Sequence, residues 1–234
     1  MKRGHARLDR PRLKVCCIAN TDEAGLAIRY GANAVGLVSA MPSGPGVIPE
    51  DRIEEIAKRI PPEVSSFLLT SHRKIEAIVE QQQRFGVDTI QLCDGLPPED
   101  LLELRSAMPG VSIVQVIHVA GDEAFDQART AARAAHALLL DSGDPSKAVK
   151  ELGGTGRTHD WDLSRKIRDE VEVPVWLAGG LTPDNVGEAV RRVRPFGVDV
   201  CSGLRTEGRL DEEKLIRFVR NLETELGSPT PRES

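Results

Sequence analysis

Short apolar runs of β type alternate with segments whose apolar residues recur every three or four positions, and this alternation continues along the whole chain. The first run is LKVCCIA, Leu13 to Ala19, and Thr21 and Asp22 then provide a helix start ahead of Ala24, Leu26, Ala27 and Ile28. Ala34 to Val38 is the second run, followed by the apolar face of Ile53, Ile56, Ala57 and Ile60. Further runs span Ser65 to Thr70, Val87 to Leu92, Ser112 to Val119, Ala137 to Asp141, Val173 to Ala178 and Val198 to Cys201. Each is trailed by a helical pattern, and Pro98 opens one of these helices in the way proline favours a first turn.

Strands alternating with helices predict a parallel sheet. Eight such units in 234 residues predict a single (β/α)8 TIM barrel occupying residues 13–226. An open doubly wound sheet is the alternative, and it would have to bury as many strands without closing. The basic stretch MKRGHARLDRPR is expected to be a mobile arm over residues 1–12, and the polar residues 227–234 a frayed tail.

Composition narrows the partners. Hydrophobic residues make up 40% of the chain and the 21 glycines bring that to about half, an ordinary globular proportion that excludes disorder of the body. The net charge of -5 argues against nucleic acid, whose phosphates select basic faces. No apolar run approaches the roughly 20 residues that span a bilayer, so no membrane partner is expected. Four cysteines, Cys16, Cys17, Cys93 and Cys201, lie in apolar runs without CxxC spacing or a paired histidine cluster. They predict buried thiols rather than a metal site or a disulfide framework and, with no secretory signal, a reducing cytoplasm.

In this fold the chemistry sits at the C-terminal ends of the strands. Asp141 ends the sixth run, Gly179 and Gly180 follow the seventh, and Ser202 and Gly203 follow the eighth. Glycines there let backbone N–H groups approach a phosphate, although glycine also serves plain turns. Alternation puts Lys14 and Cys16 on one face, where an ammonium could lower a thiol pKa; a packed core thiol is the alternative. GGTGRTHDW, Gly153 to Trp161, fits neither a Walker loop nor a dinucleotide loop, but suits a lid or a surface of backbone donors.

The strings KVCCIAN, QLCD, LLLDS, GGTGRTHDW, LAGGLTPDNV and DVCSG, in that order, resemble the phosphoribosylanthranilate isomerases of tryptophan biosynthesis. That family reads KICGIT, QLHG, LLD, GGTGKTFDW, LAGGLNPENV and DVSSG. The resemblance runs from about Lys14 to Asn221 and implies a cofactor-free barrel acting on a small phosphorylated sugar. It implies Asp141 as the acid that opens the sugar ring, Cys16 as the base that takes the C2 proton, and phosphate held by Gly179, Gly180, Ser202 and Gly203. Thr155 and Gly156 become substrate-contact candidates. No metal is implied.

Four departures accompany the match. Cys17 stands where the family has glycine, and is expected to face the helix layer; Cys93 replaces a histidine; and Arg205 stands where a glutamate is common. The loop after the second strand, which in the family reads SPRxV with an arginine for the anthranilate carboxylate, is SAMPSGPGVIP, Ser39 to Pro49, without a basic residue. Arg205 and Arg157 are the replacement candidates. A different aminophosphosugar, or a non-catalytic phosphate-ligand barrel, are the alternative readings.

Overall fold

The computed structural model describes residues 10–143 and 159–224. Eight parallel strands close into a barrel in chain order: β1 Arg12–Val15, β2 Ala34–Val38, β3 Ser65–Thr70, β4 Thr89–Leu92, β5 Ser112–His118, β6 Ala137–Asp141, β7 Val175–Leu177 and β8 Gly197–Val200. Closure is made by β1 against β8, in a register that pairs Lys14 with Asp199 and Val15 with Val200. Helices α1 Thr21–Arg29, α2 Glu50–Ala57, α3 Ile75–Phe85, α4 Pro98–Ala107, α5 Glu123–Ala131, α6 Trp161–Glu170, α7 Val186–Val193 and α8 Glu212–Thr224 each follow one strand. The open-sheet alternative is thereby excluded. A two-stranded hairpin that the periodicity does not reveal, β9 Arg205–Thr206 and β10 Arg209–Leu210, follows β8.

Local chemistry sets the element ends. Asn20 caps α1 by accepting the Glu23 N–H at 2.9 Å, and Asp160 caps α6 through the N–H groups of Asp162 and Leu163. β7 is shorter than its apolar run, beginning just after Pro174, which has no N–H to give the ladder.

The period of two along each strand divides the core into two layers. Leu13, Val15, Leu138, Leu140, Val198 and Val200 pack outward against the helices. Cys16, Phe67, Cys93, Leu139 and Trp176 form the barrel interior. Trp176 plugs that interior edge-on between Phe67 and Phe196, with ring centroids 5.8 and 5.4 Å away. Gly197 makes room for it, since a Cβ there would overlap the indole ring. The arm and tail expected at the two ends fall mostly outside the described residues. No described helix is long and apolar enough to cross a membrane.

Candidate active site

A cleft opens at the C-terminal end of the barrel, lined by Cys16, Asp141, Gly179, Gly180 and Ser202 together with Cys93, Met41 and Pro45. Strand alternation delivers the reactive groups. Ala137 and Leu139 face inward on β6, so Asp141 at its end does too. At β1 the inward positions are Lys14 and, just past the strand, Cys16; at β8 they are Asp199 and, just past the strand, Cys201.

Lys14 is 0% exposed and its Nζ lies 2.8 Å from Asp199 Oδ2. Burial opposes its charge most strongly, but Asp199 together with the neighbouring Cys16 and Cys93 outweighs burial and raises the lysine pKa. Asp199 Oδ1 is buried without a partner among the described residues and borders the cleft. The ammonium is thus already spoken for. Burial pushes the Cys16 thiol up to about 11 against the opposing pull of Lys14, so the expected lowering of that thiol pKa is corrected. Burial also raises the Asp141 carboxyl above its ordinary range, although the Ser142 N–H at 2.7 Å from its Oδ1 pulls the other way. A carboxyl that keeps its proton is what an acid near neutral pH requires.

Gly36 on β2 gives Cys16 its space, a function no sequence pattern announces. A Cβ at Gly36 would stand 2.7 Å from Cys16 Sγ. Cys93 is a second buried thiol, with its pKa pushed up to about 12 by burial.

The loops after β7 and β8 come together as the glycines suggest. Gly179 and Gly180 adopt φ 81° and 64°, and neither N–H donates to an acceptor among the described residues. The loop is held from outside by Asn185, which donates to Gly180 O at 2.9 Å and accepts the Thr182 N–H at 2.8 Å. A Cβ at Gly203 would overlap the Leu181 carbonyl oxygen, so the two loops are in direct backbone contact there. A short 3-10 turn, Ser202–Leu204, completes the concavity, the usual phosphate position of the fold.

Three expectations are corrected. Arg205 does not point to a ligand carboxylate. Its guanidinium pairs with Glu23 at 3.0 Å, both side chains only 11% exposed, and donates to the Cys17 carbonyl oxygen. Cys17 does not face the helix layer. β1 ends at Val15, and Cys17 takes φ 61°, which breaks the alternation and turns its side chain toward β8. That left-handed conformation costs a residue with a Cβ roughly 1–2 kcal/mol, consistent with the family's glycine. Finally, Cys17 is joined to Cys201 by a disulfide, while Cys16 and Cys93 are free. The expectation of four unpaired thiols fails because the partners are 184 residues apart and meet only when the barrel closes. The cysteine-based case for a reducing compartment loses its footing with it.

No Lys or Arg is among the described residues lining the cleft, and no described group of three or more His, Cys, Asp or Glu is arranged to hold a metal ion. Thr155, Gly156 and Arg157 lie outside the described residues. His159, beside them, is pushed down to about 4 by burial and pairs with Ser164 Oγ at 2.7 Å.

The family model described as N-(5'phosphoribosyl)anthranilate (PRA) isomerase matches residues 13–221. N-(5'-phosphoribosyl)anthranilate isomerase 2 of Methanosarcina mazei is 37% identical over 217 residues, covering 92% of this chain and 95% of the relative. The Haloferax volcanii isomerase is 40% identical over 221 residues, covering 93% and 95%. The solved Thermotoga maritima phosphoribosyl anthranilate isomerase matches with a TM-score of 0.79 at 28% identity, covering 92% of this chain and 99% of that one. A phosphoribosyl anthranilate isomerase in complex with reduced 1-(o-carboxyphenylamino)-1-deoxyribulose 5-phosphate matches with a TM-score of 0.77 at 26% identity and the same coverage.

Proposed function

The chain belongs to the N-(5'-phosphoribosyl)anthranilate isomerase family, and we propose that Cys16 and Asp141 carry the family's reaction here as base and acid. The enzyme rearranges N-(5'-phosphoribosyl)anthranilate into 1-(2-carboxyphenylamino)-1-deoxyribulose 5-phosphate in tryptophan biosynthesis. Asp141 gives its proton to the furanose ring oxygen, and the C1–O bond breaks as the anilino nitrogen supplies electrons to form an iminium. Cys16 thiolate then takes the C2 proton. The C–H electron pair becomes the C1=C2 bond of an enolamine, which tautomerises to the ketose.

The observation that carries this assignment is a carboxyl whose pKa burial raises, in the same cleft as a thiol and two converging glycine loops. Gly179, Gly180, Ser202 and Gly203 supply N–H groups to the phosphate. Asp199 Oδ1 offers an acceptor to a sugar hydroxyl. The strand-two loop brings Met41 and Pro45, suited to an aromatic ring but not to its carboxylate. With Arg205 committed to Glu23, Arg157 is left as the cation for that carboxylate.

A crystal structure with the reduced product analogue tests the site. The expected complex has phosphate between Gly179–Gly180 and Ser202–Gly203 and the ribulose chain between Cys16 and Asp141. Phosphate seated elsewhere in the cleft would overturn the assignment.

A further inference from the structure

We propose that the Cys17–Cys201 bond is a reversible covalent latch, opened by a dithiol and closed again by a small disulfide, and that its closed form grips the substrate phosphate more tightly. The proposal rests on the phosphate site assigned above. Cys17 follows the base at the end of β1, and Cys201 immediately precedes Ser202 of the phosphate concavity. Their Cα atoms are 5.9 Å apart, the ordinary spacing for a bridge. The bond therefore ties the loop that positions the base to the loop that holds the phosphate.

Its placement argues that it does more than fill space. Among the matched strings, Cys17 replaces the glycine of KICGIT and Cys201 replaces the first serine of DVSSG, and these two departures face each other. A side chain at Cys17 is held in a left-handed backbone conformation that glycine adopts freely, so the sulfur is kept despite a conformational cost. Cys17 also supports the loop after β2. Its Sγ lies 3.6 Å from Pro45 O, and a Cβ on Gly46 would come within 2.9 Å of that sulfur. Three loops around the cleft thus meet at one sulfur.

The chemistry balances as thiol–disulfide exchange. Cys201 is half-buried at the cleft rim and Cys17 is buried, so a dithiol thiolate attacks Cys201 Sγ and expels Cys17 as the leaving thiolate. The reagent's second thiol then displaces Cys201. The protein gains two electrons and two protons, and the reagent leaves as a disulfide. A reducing compartment holds the latch open, and an oxidising shift closes it.

The test uses full-length protein purified without reductant. Thiols counted after denaturation should number two, rising to four after dithiothreitol, with a Cys17–Cys201 cross-linked peptide seen by mass spectrometry only before reduction. KM for N-(5'-phosphoribosyl)anthranilate should rise about fivefold on reduction with kcat within twofold, reflecting loss of part of a charge-assisted hydrogen bond set. Cys201→Ser and, separately, Cys17→Gly should show the reduced-form KM and ignore dithiothreitol. Inorganic phosphate affinity, measured calorimetrically, should fall by a similar factor. Four thiols before reduction, or equal phosphate affinity in both forms, would overturn the latch. Absence of turnover in both forms would instead overturn the site reading, leaving thiol count and phosphate affinity to decide the latch.

Discussion

Gly36→Ala isolates the placement of the base from the rest of the site. The added Cβ would lie 2.7 Å from Cys16 Sγ, 3.2 Å from Cys16 Cα and 3.2 Å from Leu69 Cδ1. Non-bonded heavy atoms settle at about 3.5–4.0 Å, so the sulfur must retreat by about 1 Å or rotate away. The backbone cannot absorb this freely. Cys16 N–H donates to Val200 O at 2.9 Å, and Ile18 N–H donates to Gly36 O at 3.0 Å, pinning β1 on both sides. A strained rotamer costs on the order of 1 kcal/mol, which lowers Tm by roughly 2–4 °C in a domain of this size. A 1 Å misplacement of a catalytic group costs on the order of 10²-fold in rate. The phosphate loops follow β7 and β8, so KM should stay within about threefold. Kinetics followed by loss of anthranilate fluorescence, with Tm from circular dichroism, give both readings. Gly25→Ala in α1, where a Cβ meets nothing within 4 Å, is the control and should keep kcat while gaining about 0.5–1 kcal/mol of stability. A kcat for Gly36→Ala within threefold of wild type would refute the reasoning.

Gly203→Ala should raise KM about 10- to 100-fold by blocking N–H approach to the phosphate, and should also lower Tm by roughly 2–12 °C because its Cβ overlaps Leu181 O; unchanged values of both would show that the loops do not touch. Arg205→Ala removes the counter-charge of Glu23, leaving it only the Ala19 and Leu210 N–H groups, and releases the Cys17 carbonyl, so stability should fall by about 1–3 kcal/mol and kcat should fall with it, whereas a selective rise in KM would restore Arg205 as a substrate contact. The pH profile of kcat/KM carries a sign. The active form has Cys16 ionised, and with burial pushing its thiol up to about 11 the limb that reports Cys16 should appear only near pH 11. A limb near pH 8.5, the ordinary thiol value, would contradict the buried-thiol account.

Much of the barrel was legible because parallel strands buried on both faces read as continuous apolar runs. Ala34–Val38, Ser65–Thr70 and Ala137–Asp141 have the ends that the runs predict. β4 and β8 are shifted by a residue or two, and the β9–β10 hairpin is too short to leave any periodicity. Asp141 could be placed at the C-terminal rim from strand order; alternation put Cys16 on the same face as Lys14 but left open a packed core thiol, and only the family resemblance singled it out. What sequence could not supply were relations between distant residues: Arg205 with Glu23, Cys17 with Cys201, and the space that Gly36 leaves beside Cys16. Nor could alternation hold at Cys17, where one left-handed φ ends the period of two and redirects the side chain.

The most direct measurement is turnover of freshly made N-(5'-phosphoribosyl)anthranilate by the wild type, Cys16→Ala and Asp141→Asn, followed by loss of anthranilate fluorescence. The account predicts wild-type conversion to the ribulose product, and for each variant a loss on the order of 10²–10⁴-fold in kcat, with affinity for the reduced product analogue largely retained. Near wild-type turnover by either variant would contradict the role given to that residue.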